Sequence, residues 1–356
     1  MLKLINLCFK KQNMKKKSLS VKKISHRNLN KVLSKKFLKS IFDKFEQKLN
    51  KNERYLVAVS GGPDSLALAF FCQCYQKKYN TRFIFCTVDH GLRPESSKES
   101  KKVVKILSKI NIPCKILKWK GVKPSKNIQA IARHNRYALL EKQCKINKIN
   151  NILLAHQKDD VNENFFIRLT RGSGLKGLVS LDENVEINRI NYLRPFLDLT
   201  KKKLESVSLE VFKTFINDPS NLDEKFKRIR LRKLINSLNS EGLDKNKIDL
   251  TIQNLKKADR ALEYYTSKNL DENSIIFYDK KATLKKDFFY QPNEVILRSL
   301  NVLMRKIGNK YYPPRAKSTY SLINELKSQS SVKNTTLGGC LFKKINETII
   351  ISKETG

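Results

Sequence analysis

The chain has 356 residues, of which 40 % are hydrophobic and 73 are Lys or Arg against 33 Asp or Glu, giving a formal net charge of +40. The length indicates about two or three domains, and the charge favours a polyanionic partner such as nucleic acid, unless a codon bias towards A and T has raised Lys throughout. No apolar run approaches the roughly 18 residues of a membrane span, so no span is expected. The seven Cys include no C-x-x-C pair, so their spacing indicates neither a disulfide framework nor a zinc knuckle, and it predicts a protein of the reducing cytoplasm.

The N-terminal segment is basic and lacks the apolar stretch of a secretory signal. The first 42 residues contain no Asp or Glu. They predict a basic tail over residues 1–36. Three interpretations of this tail stay open: a disordered segment, an arm that contacts RNA, or a translation start at Met14.

From Tyr55 onward, short apolar runs alternate with longer amphipathic ones. The short runs predict buried strands over Tyr55–Ser60, Arg82–Asp89, Cys114–Trp119 and Asn151–Ala155. The segments between them predict helices over Asp64–Tyr79, Glu95–Ile110 and Asn127–Lys148. This alternation predicts an α/β fold, in which a parallel sheet carries helices on both faces.

The character of the sequence changes beyond Asp218. Long basic helices are predicted over Phe226–Leu238 and Lys247–Leu270, with no strand between them. The string Thr335–Gly339 and the alternation over Thr348–Ser352 then indicate a small β-containing C-terminal unit.

Unusual polar residues follow three of the four predicted strands. Ser60–Gly62 follows the first, Asp89–Gly91 the second and His156 the fourth. Because ligands of open α/β sheets bind beyond the carboxyl ends of the strands, these residues are candidates for one site.

The first of these clusters reads Ser60-Gly61-Gly62-Pro63-Asp64-Ser65. Its two glycines let the backbone approach a phosphate, and the helix that opens at Asp64 offers amides and a dipole to an anion. Neither G-x-x-x-x-G-K-[ST] nor G-x-G-x-x-G occurs here. The S-G-G-x-D-S pattern is typical of the pyrophosphatase-type loop of ligases that release AMP, with a plain capped turn as the alternative.

An acidic cluster follows the fourth strand. If a helix starts near Lys158, then Asp159 and Asp160 lie in its first turn and Glu163 shares a face with Asp160. Carboxylates beside a phosphate are natural Mg²⁺ ligands, although acidic residues are also common at ordinary helix starts.

Three basic strings differ in what they indicate: the arginines of the first could be solvated surface residues, the second suits phosphate or an RNA backbone, and the third indicates a solvated face or an RNA contact more than a catalytic element. They are Ala132–Tyr137, the glycine-rich Arg168–Gly177, and Arg228–Arg232 after the turn Asp218–Asp223.

Taken in order, these strings resemble the tRNA(Ile)-lysidine synthase family, a member of the pyrophosphatase-loop ATPase group with a nucleotide α-hydrolase-like fold. The strings are S-G-G-x-D-S, V-D-H-G-L-R, A-H-x-x-D-D-x-x-E, R-G-S-G-L-x-G-L and D-P-S-N-x-D, and T-L-G-G-C near the end is similar to the family's C-terminal region. With the basic run Arg228–Arg232, and leaving out the C-terminal T-L-G-G-C, they span Ser60 to Arg232, about half of the chain. One departure is Ile229, where the family usually has Asn.

The resemblance implies an ATP-dependent ligase of tRNA processing. ATP adenylates the C2 oxygen of the wobble cytidine in a tRNA(Ile) with a CAU anticodon, and free L-lysine then displaces AMP to give lysidine. ATP and Mg²⁺ are the implied cofactors, and the oligomeric state stays open, with a homodimer as one option.

The resemblance also implies roles for individual residues. The implied catalytic residues are Asp64, Arg136, His156, Asp160 and Arg228. The implied ATP-binding residues are Ser60, Gly61, Gly62, Pro63, Asp64 and Ser65. The implied metal ligands are Asp64, Asp159, Asp160 and Glu163. Candidate RNA or phosphate contacts are Arg93, Arg171, Arg230 and Arg232.

The predicted domains follow from the same strings. They are a basic tail over 1–36, an ATP-binding catalytic domain over 37–217, a helical tRNA-binding domain over 218–310 and a small C-terminal unit over 311–356. A tRNA-thiolating enzyme of the same group is the nearest alternative, followed by an amidating ligase and a non-enzymatic RNA-binding protein. Thiolation needs a reactive cysteine pair or an iron–sulfur site, whereas Cys72 and Cys74 lie one residue apart in an apolar helix.

Overall fold

A computed structural model describes residues 26–121, 128–187, 189–217, 227–238, 240–278, 280–310, 313–328 and 334–354. These residues form two compact units. The first comprises the described residues up to Ala155 together with Lys201–Asn217, and the second comprises those of 156–200 and of 218–356. The units therefore differ from the predicted boundaries, because residues 156–200 belong with the C-terminal part of the chain. The four-part division stays a prediction.

The first unit is built on a parallel sheet. Its strands are β1 (Tyr55–Ala58), β2 (Phe83–Asp89), β3 (Cys114–Lys118) and β4 (Asn151–Leu153). They lie in the order β3-β2-β1-β4, with Val57 of β1 opposite Phe85 on one side and Leu153 on the other. The prediction of a parallel sheet from these four segments is confirmed.

Helices flank this sheet. They are α1 (His26–Leu33), α2 (Lys36–Glu46), α3 (Pro63–Tyr79), α4 (Ser96–Ser108), α5 (Ile128–Asn147) and α8 (Lys201–Phe212). Every residue of α3 from Ser65 to Tyr75 is buried, as expected of a helix that is apolar on all sides. It packs against α8, whose Ser208 hydroxyl donates a 2.6 Å hydrogen bond to the Pro63 carbonyl. The helix α1 lies within the predicted basic tail of residues 1–36, and its Leu29 is buried.

The second unit begins with α6 (Lys158–Leu169) and the short helix α7 (Leu175–Leu178). An antiparallel hairpin of β5 (Asn184–Ile187) and β6 (Ile190–Leu193) follows. The two basic helices predicted beyond residue 218 are present as α9 (Lys227–Ser237) and α10 (Lys245–Asn273).

An antiparallel sheet follows α10 in the second unit. It contains β7 (Ser274–Phe277), β8 (Lys281–Leu284), β9 (Thr335–Leu337), β10 (Cys340–Ile345) and β11 (Thr348–Lys353), in the order β7-β8-β11-β10-β9. The helices α11 (Asn293–Gly308) and α12 (Ala316–Ser328) share a buried core with it. The β-containing C-terminal part is larger than predicted, since two of its strands precede residue 311. Within the described ranges, the chain forms no helix that is both long and apolar enough for a membrane span.

Candidate functional site

The loop after β1 is closed by the side chain of Ser65. Its Oγ accepts hydrogen bonds from the amides of Ser60 and Gly61, both at 3.1 Å, and donates to the carbonyl of Gly62 at 3.0 Å. Ser60 Oγ lies 3.2 Å from the same oxygen. The predicted ATP-binding residues therefore form one compact turn that leads directly into α3.

Gly61 is required by the fold of the turn. Its φ is +91°, a conformation that side chains of L-residues rarely adopt. A Cβ at this position would lie 2.7 Å from Val103 and 2.8 Å from Ile216. The carbonyl of Gly61 also accepts a 2.9 Å hydrogen bond from the amide of Ile216. The segment after α8 thus holds the loop from the other side.

Gly62 has no such requirement. Its φ of −68° suits any residue, and the nearest atom to a Cβ built there is Ser60 Oγ at 3.7 Å. It is the residue before the first turn of α3, where Pro63 occupies the first helical position. A glycine that internal packing does not demand, beside a helix N-terminus, fits close approach of a phosphate to the backbone.

The loop after β2 is held by a buried carboxylate. Asp89 accepts hydrogen bonds from the hydroxyls of Ser96 at 2.6 Å and Ser97 at 2.5 Å, and from the amide of Gly91 at 3.1 Å. Burial raises the pKa of Asp89, but these hydrogen bonds outweigh it, so the pKa lies below its ordinary value of 3.8. Asp89 is therefore an ionised anchor that fixes the turn around His90.

His90 lies near two arginines predicted as site residues. Burial lowers the pKa of His90 first, and the positive charges of Arg136 and Arg93 lower it further, while Asp89 opposes them. Its imidazole is therefore neutral at pH 7. Arg93 also forms a 3.2 Å ion pair with Glu99, and the guanidinium of Arg136 lies 5.6 Å from the Tyr137 ring. Arg93 and Arg136 are thus both close enough to His90 to affect its charge.

The acidic cluster begins α6 as predicted. Gln157 precedes the helix, and its side chain accepts a hydrogen bond from the amide of Asp159 at 2.8 Å. The carboxylate of Asp160 accepts from the amide of Gln157 at 3.0 Å. This reciprocal pair satisfies two helix N-terminal amides, so Asp160 has a structural role in addition to any chemical one.

Ion pairs connect the start of α6 to α9 and α10. Glu163 pairs with Arg232 of α9. Asp159 pairs with Lys245 of α10 at 3.0 Å, and Lys158 pairs with Asp249 of the same helix. Two of the carboxylates predicted as metal ligands are therefore engaged by cationic side chains.

The pKa of Arg232 is affected by all three carboxylates of the acidic cluster. Burial lowers the pKa of its guanidinium, but the hydrogen bond to Glu163 and the charges of Glu163, Asp160 and Asp159 raise it above its ordinary value. No group of three or more His, Cys, Asp or Glu suited to a metal comes together in the part of the chain that the structure describes. Of the α6 carboxylates, Asp159 and Glu163 are thus paired with a lysine and an arginine, and their role as metal ligands stays a prediction.

The remaining predicted residues are spread over the second unit. His156 is half-buried directly before Gln157, Arg171 is exposed after α6, and Arg230 is exposed on α9. Arg228 belongs to α9, but its side chain lies outside the described residues, as does the turn Asp218–Asp223. Sequence patterns missed four residues whose side chains hold these loops and helix starts, namely Ser96, Ser97, Gln157 and Lys245. The first three belong to helix starts, and the partner of Lys245 is distant in the chain.

The cysteines of α3 are not reactive thiolates. Cys72 and Cys74 are buried, and the six cysteines of the described residues are unpaired. Burial raises the pKa of Cys72 and raises that of Cys74 to about 12. Their thiols therefore stay protonated at neutral pH, which disfavours a thiolating reaction through this pair.

Comparisons with known proteins identify relatives of this chain. The family model of the PP-loop domain matches residues 26–238. A tRNA(Ile)-lysidine synthase of Wolbachia pipientis wMel is 36 % identical over 307 residues, which are 85 % of this chain and 71 % of that protein. A second relative of the same name, from Orientia tsutsugamushi, is 33 % identical over 331 residues, covering 88 % of this chain and 72 % of the relative.

Among solved structures, the U34-tRNA thiolase from Methanococcus maripaludis has a similar fold. The TM-score is 0.51 at 17 % sequence identity, over 62 % of this chain and 78 % of the thiolase. At that identity the likeness concerns the fold alone, which agrees with a parallel sheet flanked by helices.

Proposed function

Because the chain belongs to the tRNA(Ile)-lysidine synthase family, we propose that it attaches L-lysine to the wobble cytidine of a tRNA(Ile) with a CAU anticodon. It is an ATP-using ligase of tRNA modification. The observation that carries the proposal is the glycine turn after β1, closed by Ser65 and opening onto the N-terminus of α3. We also propose a cytoplasmic location, which the unpaired described cysteines support.

The reaction has two steps. The C2 oxygen of the cytidine attacks the α-phosphorus of ATP, and pyrophosphate leaves. The ε-amine of lysine then attacks C2, and the C2 oxygen departs with AMP. Both steps build negative charge on phosphate oxygens, which preorganised amides and cations stabilise.

The chain's own groups supply these elements in the first unit. The amides at the start of α3 and the dipole of that 17-residue helix favour the phosphates, and Gly62 leaves room for them. Arg136 and Arg93 provide positive charge near the neutral His90. We propose that these groups hold the adenylate, with His90 serving as a hydrogen-bonding group that carries no charge.

The second unit supplies the other proposed groups. Asp160 and His156, at the start of α6, are proposed to act on the lysine amine, and Arg171 and Arg230 are exposed candidates for RNA contact. Mg²⁺ is proposed to arrive with ATP, with Asp64 in the first turn of α3 as the candidate ligand.

The direct test is lysine incorporation into RNA. Purified protein is mixed with ATP, labelled lysine and total tRNA, and both labelled RNA and AMP are measured. We expect label in RNA only when ATP is present. Sulfur transfer without lysine uptake would support the thiolase alternative, and tRNA binding with no AMP release would support a non-enzymatic RNA-binding protein.

The variant Asp64→Ala separates catalysis from RNA binding. We expect it to lose AMP release by at least about 100-fold, the range for loss of a group that stabilises developing charge. Its affinity for tRNA should stay close to that of the wild type. A parallel loss of tRNA binding would contradict the assignment of Asp64 to the nucleotide.

A further inference from the structure

Glu163 and Arg232 form an unequal pair within the second unit. The side chain of Glu163 is only 4 % exposed, whereas that of Arg232 is 38 % exposed. The Nε of Arg232 donates a hydrogen bond to the carboxylate of Glu163. A buried carboxylate is costly unless it is paired, so the conformation of Glu163 depends on this arginine.

The orientation of Arg232 follows from the packing of α9. Ile229 and Ile235, three residues before and after it, are both buried, and Leu231 is buried beside it. Leu231 and Ile235 share a core cluster with Phe166 of α6 and Ile248 of α10. The side of α9 that carries Arg232 therefore faces α6, while Arg230 is exposed.

Two further ion pairs fix the same arrangement. Along α6, Lys158 pairs with an acidic residue of α10 and the next residue, Asp159, pairs with a basic one, Lys245. A shift of α6 along α10 would break these two contacts, because each joins opposite charges at a specific position. The start of α6 is thus held to α9 and α10 by complementary charges as well as by apolar packing.

We propose that Arg232 is a positioning residue, which fixes Glu163 and thereby keeps the acidic start of α6 in its working arrangement, rather than a contact to RNA. This inference rests on the proposed function, in which Asp160 of the same helix acts on the lysine amine. It reassigns Arg232 from RNA binding and Glu163 from metal binding.

The test uses four proteins: wild type, Arg232→Ala, Glu163→Gln and the double variant. We expect Arg232→Ala to lower kcat for lysidine formation by about 10- to 100-fold, the usual range for a residue that orients a functional group. The KM for tRNA and its salt dependence should not change. If Arg232 acts through Glu163, the double variant is no slower than Glu163→Gln alone.

Two variants serve as comparisons. Arg232→Lys keeps a positive charge and should recover part of kcat, which a loss of folding alone would not explain. Arg230→Ala, on the exposed side of the same helix, should instead raise the KM for tRNA and reduce the salt slope by about one. Arg232→Ala behaving like Arg230→Ala would show an RNA contact and overturn the proposal.

Other outcomes also decide the matter. A lower melting temperature of Arg232→Ala with unchanged kcat and KM would show that Arg232 has only a structural role, and it would overturn the proposal. Independent effects of the two single substitutions on kcat would overturn it as well. Melting temperatures of the four proteins measure the coupling of the pair without substrate, and additivity there would refute the contact itself. A wild type that forms no lysidine overturns the proposed function, and with it this role, whatever the melting data show.

Discussion

At the scale of single residues, the two glycines of the loop after β1 are glycine for different reasons. Gly61 has a positive φ and is enclosed by Val103 and Ile216. Gly62 has an ordinary φ and open space where a side chain would begin. The first glycine builds the turn, whereas the second leaves access to it.

The variants Gly61→Ala and Gly62→Ala should therefore differ in kind. We expect Gly61→Ala to lower the free energy of unfolding by about 2–4 kcal/mol, because it combines a strained φ with overpacking. Gly62→Ala should leave that free energy within about 1 kcal/mol of the wild type and yet weaken ATP binding. Urea unfolding and ATP titration of both proteins measure the two effects.

The comparison is informative because each variant controls the other. Normal ATP affinity of a folded Gly62→Ala protein would show that no phosphate of ATP binds next to residue 62. A stable Gly61→Ala protein would contradict the geometry of the turn.

His90 predicts a pH dependence of stability. Its pKa in the folded protein lies below the ordinary value of 6.5, mainly through burial. Between the unfolded and the folded pKa, the unfolded chain binds a proton on His90 more readily than the folded protein does. The stability that is present above pH 6.5 is therefore lost as the pH falls through the folded pKa. We expect His90→Gln to lose less stability than the wild type between about pH 7.5 and pH 5.5 in urea unfolding. Equal losses in the two proteins would count against a buried, neutral His90.

At the scale of elements, the start of α6 combines structure with chemistry. Asp160 caps the helix through the amide of Gln157, yet it is also the proposed group for the lysine amine. An acidic helix start alone is common and carries little functional information. Two substitutions of the same residue can separate these contributions.

Asp160→Asn keeps an oxygen that accepts the hydrogen bond from Gln157, whereas Asp160→Ala does not. We expect Asp160→Asn to melt near the wild-type temperature but to lose lysidine formation, because only the charge is removed. Asp160→Ala should lose activity and also about 1–2 kcal/mol of stability. Full activity of a folded Asp160→Asn protein would show that Asp160 is a cap and nothing more.

The sequence predicted elements well where local patterns are strong. The strands β1 to β4 are short apolar runs between amphipathic helices, so this alternation was sufficient to predict them. The strands β7 and β8 were missed, because Ser274–Phe277 continues directly from α10 and because β8, to which it pairs, also pairs with β11, far along the chain.

The same distinction applies to the candidate site. The loop from Ser60 to Ser65 could be predicted, since the hydrogen bonds through which Ser65 closes it join residues within five positions of one another. The contact of Glu163 with Arg232 joins residues 69 positions apart, and that of Asp159 with Lys245 joins residues 86 apart. Such pairs depend on how helices pack, which a single sequence does not specify. The predicted roles of these side chains as metal ligands and RNA contacts therefore stay predictions.

At the scale of the whole molecule, the net charge of +40 is the dominant property. Part of the positive charge is used internally, since Arg232, Lys245 and Lys158 pair with acidic residues. Arg171 and Arg230 are exposed, and their contact with phosphate stays a prediction. The field of the remaining cations should attract tRNA over long distances.

This charge predicts a steep salt dependence of tRNA binding. We expect the affinity to fall by about 10³-fold or more between about 50 and 200 mM salt, because each phosphate contact releases counterions. Filter binding at several salt concentrations measures the slope. A shallow slope would favour the view that the lysines reflect codon usage and are not a binding surface.

The hydrogen bond from Ile216 to Gly61 has a consequence for how the protein is made. Gly61 leaves the ribosome long before Ile216, so the turn lacks this support until residues 201–217 have been synthesised. A chain that stops after Ala155 contains every strand of the parallel sheet, yet it also lacks the hydroxyl of Ser208 that bonds the Pro63 carbonyl. Nascent chains shorter than about 217 residues should therefore bind no nucleotide, which ties the onset of ATP binding to a late moment of translation.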